Sequence, residues 1–377
     1  MALDRRTFIA SLGAATVAMR ATPQRSNPSN RYPPLVFIHG IKGSVLIDAR
    51  GGVNWFTAWQ ALGLTAPELS LPLRWTGDIQ QRDGMSATTP LDTVAWHDVY
   101  APFLKWAVAS GRPFHPFAYD WRRDNLETTD AFVKFLGKVS RESDGAKVQV
   151  VAHSMGGLIA LAAVHRQPEL FHSVLFAGVP FGPSISFLED MHAGTANGFN
   201  SRILSPQVLF TFPSIYTLFP DDPKESGLVE TNCTPIVHDW FSAEDWERQR
   251  LGIFSNPGTS ATPEQRAYLR TALEHARRFR NELKYRDPFS YPPIWVLAGD
   301  MHPTLSTVIH NGPKSVKGWD FSTATKNPGD NRVEFKRAVP PAGIRHSVFK
   351  SMRQHEDLLS ETKQVESILE IPGRAPN

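Results

Sequence analysis

KVQVVAHSMGGLIA, residues 147–160, is the stretch that decides the fold. Its first five residues are a short β-branched run that predicts a buried strand, and residues 158–165 are apolar enough for a buried helix. Ser154 lies between them, with the small residues Ala152 and Gly156 on either side. A sharp strand-to-helix turn needs small flanking residues and lifts the serine hydroxyl above the sheet. The pattern predicts a nucleophilic serine at this turn, although a helix start capped by serine is the simpler alternative.

Further strands and helices are predicted to alternate along the chain on both sides of this stretch. Short apolar runs indicate strands at residues 33–40, 114–119, 173–180, 293–299 and 347–351. Helical spacing of apolar residues marks residues 97–110 and 132–139, and a last helix is expected over residues 356–371. This alternation predicts a mostly parallel, doubly wound α/β sheet.

The alternation stops between residues 181 and 288. Prolines and aromatic residues interrupt this segment, and one long helix follows Thr262, where the proline at position 263 suits the first helical turn. In this class of fold, such an insertion forms a cap or lid. The sequence therefore predicts that residues 33–180 and 289–372 form the core, and that residues 181–288 form a helical cap or lid insertion.

Two segments carry patterns that each have two explanations. Residues 51–92 crowd aromatic and leucine side chains into a stretch of little periodicity, which fits either an excursion over the mouth of the site or ordinary packing. The helix after Thr262 carries arginines on one face, which fits either a solvated face or contact with a membrane or phosphate. The sequence leaves both questions open.

The N-terminus has the pattern of an export signal. Arg5 and Arg6 form a twin arginine, and the weakly hydrophobic residues 10–19 that follow are too few to span a bilayer. We therefore expect residues 1–22 to be a twin-arginine-type signal peptide and residues 23–32 to be a linker, with the mature protein periplasmic or secreted. A frayed N-terminal helix is the alternative.

Composition narrows the class of protein. The 377 residues are 41% hydrophobic and 20% charged, which is typical of a globular chain. The formal net charge is only +3, and no basic stripe is interleaved with aromatics, so nucleic acid is not an expected partner. Cys233 is the only cysteine, which excludes an internal disulfide, and no histidine or cysteine spacing indicates a metal site.

A serine hydroxyl becomes a useful nucleophile only when an imidazole removes its proton and a carboxylate orients that imidazole. His355 is the preferred base, because it follows a predicted strand near the end of the domain, whereas His346 precedes that strand. Position in the sequence leaves two candidates for the catalytic acid. Asp330 lies in a glycine-containing loop, and Asp300 directly follows a strand, so the order of serine, acid and histidine slightly favours Asp300.

Two backbone N–H groups are candidates for an oxyanion hole. Met155 directly follows the serine at the start of a helix, and Ile41 lies in the loop after the first strand. Gly40, just before Ile41, allows the backbone to approach a substrate closely. A plain strand-ending turn at Gly40 is the alternative.

Beyond the serine turn, six segments in order resemble the lecithin:cholesterol acyltransferase and phospholipase family of α/β-hydrolases. They are PLVFIHGIKGSVL at 34–46, YDWR at 119–122, FPSIYTLFP at 212–220, GDMHPT at 299–304, GDNRV at 329–333 and QHEDLL at 354–359. The resemblance covers roughly residues 33–370 and implies the α/β-hydrolase fold. It also implies that Asp330, and not Asp300, is the catalytic acid. The chain departs from the family pattern at Lys42 and at Asn331-Arg332. Neither departure removes a catalytic group, but the resemblance does not carry over the substrate preference or the acyl acceptor.

The function that follows is serine-dependent acyl transfer on a lipid or other hydrophobic ester, as in an O-acyltransferase, lipase or phospholipase. Water as the acceptor gives hydrolysis, and a lipid alcohol gives transfer. This chemistry requires no metal or organic cofactor, and the expected partners are a lipid substrate and a membrane surface. The alternatives are a carboxylesterase for small esters and a catalytically silent binding protein.

Overall fold

Six parallel strands form the central sheet of the computed structural model. They are β1 (Leu35–Ile38), β2 (Phe114–Phe117), β3 (Val148–His153), β4 (Phe171–Ala177), β5 (Ile294–Gly299) and β6 (Ser347–Ser351). Their order across the sheet is β2-β1-β3-β4-β5-β6, and every neighbouring pair is parallel. The sheet is buried on both faces, and β3 and β5 are buried along their whole length, as apolar strands in a parallel sheet are expected to be. The predicted α/β fold class is confirmed.

The structure describes residues 32–94, 97–182, 184–194, 197–256 and 261–371. The predicted signal peptide, residues 1–22, lies outside the described residues, as does most of the predicted linker, so export stays a prediction. None of the described helices is both long and apolar enough to cross a membrane.

Helices cover both faces of the sheet. The described α-helices are α1 (Ala58–Ala61), α2 (Ala101–Ala109), α3 (Asn125–Glu142), α4 (Met155–Arg166), α5 (Ser186–Ala193), α6 (Pro206–Phe210), α7 (Pro213–Tyr216), α8 (Ala243–Arg248), α9 (Pro263–Glu282) and α10 (Thr362–Leu369). Successive residues of a strand point to opposite faces. Accordingly, Val36 and Ile38 pack in the core that contains α3, α4 and α9, whereas Leu35 and Phe37 pack in the core that contains α2 and α10.

Helix α9 begins where the sequence predicts. The Thr262 hydroxyl accepts a hydrogen bond from the Gln265 N–H, and the Gln265 side chain accepts one from the Thr262 N–H, which closes a capping box. The arginines on its outer face pair with carboxylates, in the pairs Arg266–Glu247, Arg270–Glu244, Arg277–Asp239 and Arg278–Asp78. Each of these four arginines therefore has a carboxylate partner within the protein.

The helices expected near residues 97–110 and 356–371 are both present and are shorter than those ranges. Residues 97–110 contain a helix, as predicted, and it begins at Ala101, because Pro102 suits a first turn and would break a helix interior. Residues His97–Asp98 instead pair with Thr93–Val94 as a short antiparallel hairpin. The last helix also begins late, at Thr362, after a 3₁₀ turn over His355–Ser360.

Small sheets lie outside the central one. Strands Ser44–Ile47, Val53–Trp55 and Ser86–Pro90 form one of them, and His302–Leu305 pairs with Lys326–Gly329 in another. The strand Leu228–Val229 of the insertion pairs with Val308–His310, which follows β5. The region after β5 therefore continues the insertion in space.

The aromatic segment 51–92 serves both of the roles considered for it. Trp55, Leu69 and Leu71 are buried in the main core. Phe56 and Ala61 line the cavity described below. One part of the segment is ordinary packing, and the other part forms a wall of the site.

Candidate active site

The connections between strands place two loops side by side. From β1 the chain moves outward to β2, and from β3 it moves in the opposite direction through β4 to β6. In open α/β sheets, ligands bind beside the carboxyl ends of the strands where this direction reverses. Gly40 follows β1 and Ser154 follows β3, and a Cβ atom on Gly40 would come 2.7 Å from the Ser154 Cβ. Only glycine at position 40 lets the two loops approach this closely.

Ser154 occupies a sharp turn between β3 and α4. Its φ of 54° and ψ of −130° belong to a region that side-chain-bearing residues rarely adopt, and such strain is concentrated at functional sites. A Cβ on Gly156 would lie 2.3 Å from the carbonyl oxygen of His39, which explains why the second residue after the serine is a glycine. The turn predicted from the sequence is therefore present, and its geometry exposes the hydroxyl toward the neighbouring loops.

Three side chains that are far apart in sequence meet at this turn. The Nε2 atom of His355 is 2.9 Å from the Ser154 Oγ, and its Nδ1 is 2.8 Å from the Oδ2 of Asp330. The other carboxylate oxygen of Asp330 accepts hydrogen bonds from the N–H groups of Arg332 and Val333. All three residues are buried, and of the three Ser154 and His355 line the cavity described below.

The charges in this line perturb both ionisable groups. Burial alone would lower the pKa of His355, but the adjacent Asp330 carboxylate outweighs it, and the pKa is raised. Burial would raise the pKa of Asp330, but His355 and the two backbone N–H donors outweigh it, and the pKa is lowered. The pair thus favours an ionised carboxylate beside an imidazole that readily accepts a proton.

The competing candidates have other partners. The Oδ2 of Asp300 lies 2.8 Å from the Lys350 ammonium, and the Nδ1 of His346 lies 2.8 Å from the carbonyl oxygen of Ile344. The structure brings Asp330 and His355 to Ser154 in their place.

The two candidate oxyanion donors flank the serine. Met155 is the first residue of α4, and Ile41 follows Gly40 in the loop that touches Ser154. Within the described residues, neither N–H donates a hydrogen bond to the protein. Neither N–H is occupied by a protein acceptor in this part of the chain, so the prediction that they form an oxyanion hole stays open to test.

An apolar cavity of about 460 Å³ opens beside Ser154 and His355. Its hydrophobic lining comes from the β1 loop, the 51–92 segment, two valines between that segment and α2, α5, the rest of the insertion and the Asp330 loop: Ile41, Trp55, Phe56, Ala61, Leu91, Val94, Val99, Phe187, Leu218 and Val333. Ligand pockets of this size and polarity suit an acyl chain.

Charged groups stand at the edge of this cavity. The Lys42 ammonium lies 3.4 Å from the Asn197 amide oxygen and 5.8 Å from the centre of the Phe187 ring, and burial lowers its pKa. Arg332 pairs with Asp190 at 3.3 Å. Arg332 also borders a second, polar cavity of about 590 Å³. The two positions at which the chain departs from the family pattern therefore both face the site.

Sequence reasoning missed three residues around the site. Gly178 has a φ of +57°, and a Cβ there would lie 3.0 Å from the Asp330 Oδ2 and 3.1 Å from the His355 Nδ1. Tyr100 and His153 form a buried hydrogen bond of 2.8 Å beneath Ser154. Position 153 lies inside the decisive motif and could have been noticed there, whereas nothing local marks Gly178 or Tyr100.

A six-stranded parallel sheet with a serine turn after β3, an acid loop after β5 and a histidine after β6 defines an α/β-hydrolase. The family model described as lecithin:cholesterol acyltransferase matches residues 78–282, more than half of the chain. The protein belongs to the lecithin:cholesterol acyltransferase family, as its motifs predicted.

Individual relatives agree with this assignment. The chain is 28% identical over 245 residues to lecithin-cholesterol acyltransferase-like 4 of Arabidopsis thaliana, covering 54% of this chain and 46% of that protein. It is 23% identical over 257 residues to the lysosomal phospholipase A and acyltransferase of Mus musculus, covering 56% and 59%. The matches thus span about half the length of these relatives. Among solved structures, the crystal structure of the Tle4-Tli4 complex is similar in fold, with a TM-score of 0.55, 13% identity and coverage of 90% of this chain and 98% of that one.

Proposed function

We propose that the protein is a serine-dependent acyl-transfer enzyme that acts on a lipid or another hydrophobic ester. The observation that carries the proposal is the line of two hydrogen bonds from Asp330 through His355 to Ser154 at the wall of an apolar cavity. Membership in the lecithin:cholesterol acyltransferase family supports the same class of substrate.

In the first half of the reaction, the Ser154 oxygen attacks the ester carbonyl carbon while His355 removes the hydroxyl proton. Asp330 holds the imidazole in the orientation that leaves Nε2 facing the serine. The carbonyl oxygen becomes negatively charged and accepts hydrogen bonds from the N–H groups of Ile41 and Met155. His355 then donates its proton to the departing alcohol, and an acyl-enzyme on Ser154 remains.

In the second half, an acceptor hydroxyl takes the place of the departed alcohol. His355 removes the proton of that hydroxyl, and the hydroxyl oxygen attacks the acyl carbonyl carbon. The bond between the acyl carbon and the Ser154 oxygen then breaks, and His355 returns the proton to that oxygen. Water yields a free fatty acid, and a lipid alcohol yields a new ester. The apolar lining supports a hydrophobic acyl group, because each buried methylene contributes about 0.8 kcal/mol to binding.

Contact with a membrane surface is part of the proposal. Trp59, Leu62, Leu64 and Phe199 are 57%, 41%, 61% and 74% exposed. The segment that carries the first three residues lies against the segment that carries Phe199, because the Phe199 N–H donates to the Ala61 carbonyl oxygen at 2.7 Å. Ala61 itself lines the cavity. An exposed apolar patch at a cavity mouth suits a lipid surface, from which a substrate can enter without crossing water.

The proposal is tested by labelling and by product analysis. A fluorophosphonate probe should label the wild-type protein and fail to label Ser154→Ala. Vesicles of a phospholipid with a labelled acyl chain are then incubated with the protein, with and without a long-chain alcohol. Free fatty acid alone indicates hydrolysis, and a labelled wax-type ester indicates transfer.

Two results would replace the proposal. A protein that is not labelled and releases no product at all would be a catalytically silent binding protein. A protein that is labelled and cleaves short, water-soluble esters, but releases nothing from vesicles or micelles, would be a small-ester carboxylesterase.

A further inference from the structure

A buried chain of hydrogen bonds runs beneath Ser154 from the loop after β1 to the backbone of His355. The Gly40 N–H donates to the Tyr100 hydroxyl oxygen at 3.1 Å. That hydroxyl lies 2.8 Å from the Nδ1 of His153. The Nε2 of His153 lies 2.9 Å from the carbonyl oxygen of His355. Each member is buried, so no water competes for these bonds.

The direction of each bond follows from the chemistry of its atoms. A carbonyl oxygen can only accept, so the proton of a neutral His153 is on Nε2. Its Nδ1 then has only a lone pair, and the Tyr100 hydroxyl must donate to it. The tyrosine oxygen retains a lone pair for the Gly40 N–H. Every donor has one acceptor, and the chain has only one arrangement of protons.

Both side chains stay neutral over the range in which enzymes are assayed. Burial, together with repulsion from a charged His355, lowers the pKa of His153 to about 3. Burial also raises the pKa of Tyr100. Two side chains that keep one protonation state suit a fixed support and do not suit a proton relay.

We propose that Tyr100 and His153 are positioning residues that lock the oxyanion loop and the general base into one geometry. The inference rests on the proposed function and adds to it. At one end, Gly40 directly precedes Ile41, whose N–H is a candidate oxyanion donor. At the other end, the anchored carbonyl belongs to His355, whose imidazole faces Ser154. Holding both ends in place before the reaction avoids reorganisation in the transition state.

The fold contains a second chain of the same composition that serves as a matched control. There the Arg286 N–H donates to the Tyr291 hydroxyl oxygen at 3.1 Å, and that hydroxyl lies 2.9 Å from the Nε2 of His165. The other nitrogen of His165 lies 2.6 Å from the carbonyl oxygen of Glu282. This chain joins the end of α4 to the end of α9, away from Ser154.

The experiment compares Tyr100→Phe with Tyr291→Phe. We expect Tyr100→Phe to lower kcat for a soluble p-nitrophenyl ester by about 10- to 100-fold with KM changed less than about two-fold, because a small displacement of reacting groups has an effect of this size. The rate of fluorophosphonate labelling should fall in parallel. Tyr291→Phe should shift the melting temperature without lowering kcat.

Two variants at position 153 separate the two ends of the chain. In His153→Gln the longer amide can still donate to the His355 carbonyl, whereas in His153→Asn the shorter amide reaches only the Tyr100 hydroxyl. We expect each variant to lower kcat by about 10- to 100-fold, because each frees one end of the chain and so displaces one of the reacting groups. All rates are measured per folded protein, and this pair of variants decides the question if Tyr100→Phe does not fold.

Either of two results would overturn the inference. One is a kcat for Tyr100→Phe within about two-fold of that for Tyr291→Phe, since such a change is too small for a positioning effect. The other is a kcat within about two-fold of wild type in both His153→Gln and His153→Asn. Both results leave the proposed function intact, provided that the single substitution Ser154→Ala is sufficient to abolish labelling. Persistent labelling of Ser154→Ala would instead reject the proposed function.

Discussion

The Oδ2 of Asp330 lies 2.8 Å from the Nδ1 of His355 in a contact that water does not reach, with only 1% and 8% of the two residues exposed. Gly178 packs against both groups, and a side chain there would intrude between them. Because a charge interacts more strongly with its neighbour when solvent is excluded, changes to this pair should affect both activity and stability.

The first prediction concerns the choice of acid. Replacing Asp330 by asparagine removes the charge that orients and stabilises the imidazolium, and kcat for a short-chain ester should fall by about 10³- to 10⁴-fold. The control is Asp300→Asn. Asp300 forms a partly exposed ion pair with Lys350, and its loss should change kcat by no more than a few-fold. The opposite ranking of the two variants would show that the acid has been misassigned.

The second prediction concerns the pH dependence of activity. Only the neutral imidazole of His355 can accept the serine proton, and the Asp330 carboxylate raises its pKa above the ordinary value of about 6.5. The rate of fluorophosphonate labelling should therefore rise with pH and level off above that raised pKa. In Asp330→Asn the midpoint should move to lower pH, because burial then acts without the carboxylate. An unshifted midpoint would mean that another group controls the profile.

The third prediction concerns stability. The pKa of Asp330 is lowered in the folded protein, so its contribution is present above its unfolded pKa and is lost as pH falls through the folded value. The pKa of His355 is raised, so its contribution is present below its unfolded pKa and is lost as pH rises through the folded value. Both act fully between about pH 4 and 6.5. The melting temperature of Asp330→Asn should fall furthest below wild type near pH 5 and less at pH 9; an equal difference at both would contradict the pairing.

The sequence predicts the central sheet better than it predicts the small elements around it. Ser154, Asp330 and His355 come from motifs whose spacing reflects the fold, and the structure brings all three side chains together. Ser154 follows β3, a buried apolar run that hydrophobic patterning detects, and His355 follows β6 of the same sheet. The acid could be chosen only by family resemblance, because position alone favours Asp300.

The missed features depend on contacts between distant segments. The two-residue strand Leu228–Val229 is too short to show a period, and its partner Val308–His310 lies well beyond it in the chain. Nothing in the sequence distinguishes Gly178 from the other glycines, because its role depends on its contact with the Asp330–His355 pair. The Tyr100 hydroxyl joins the Gly40 N–H to the His153 imidazole. Periodicity and propensity describe single segments, so they do not predict contacts between segments that are distant in the sequence.

The fourth prediction concerns packing of α4 against the loop after β4. A Cβ on Gly157 would lie only 2.0 Å from the Cγ2 of Val179. Gly157→Ala should therefore lower the free energy of unfolding by about 1–3 kcal/mol in urea denaturation, as overpacked cores do. The double variant Gly157→Ala/Val179→Ala should recover part of that loss, because the clashing methyl groups are gone.

A second glycine, in α3, provides the control for this prediction. On Gly137, the nearest atom to an added Cβ is the Arg141 Nη1 at 3.4 Å, the end of a flexible side chain. Gly137→Ala should be neutral or stabilising by up to about 1 kcal/mol, the usual helix preference for alanine. If Gly157→Ala behaves in the same way, the contact with Val179 is not a tight one.

The last prediction concerns the apolar patch beside the cavity. Trp59→Ser combined with Phe199→Ser removes two side chains that are 57% and 74% exposed, and vesicle binding in a sedimentation assay should weaken by about ten-fold or more. The rate on vesicular phospholipid should fall with it, while kcat/KM for a soluble ester stays near wild type. Ile79→Ser is the control: Ile79 is also 57% exposed, but it lies in the hairpin that Asp78 joins to α9 through Arg278. If the double variant and Ile79→Ser lose vesicle binding equally, exposed apolar area in general drives the binding. If kcat/KM for the soluble ester falls in parallel in the double variant, the patch shapes the cavity and does not contact the membrane.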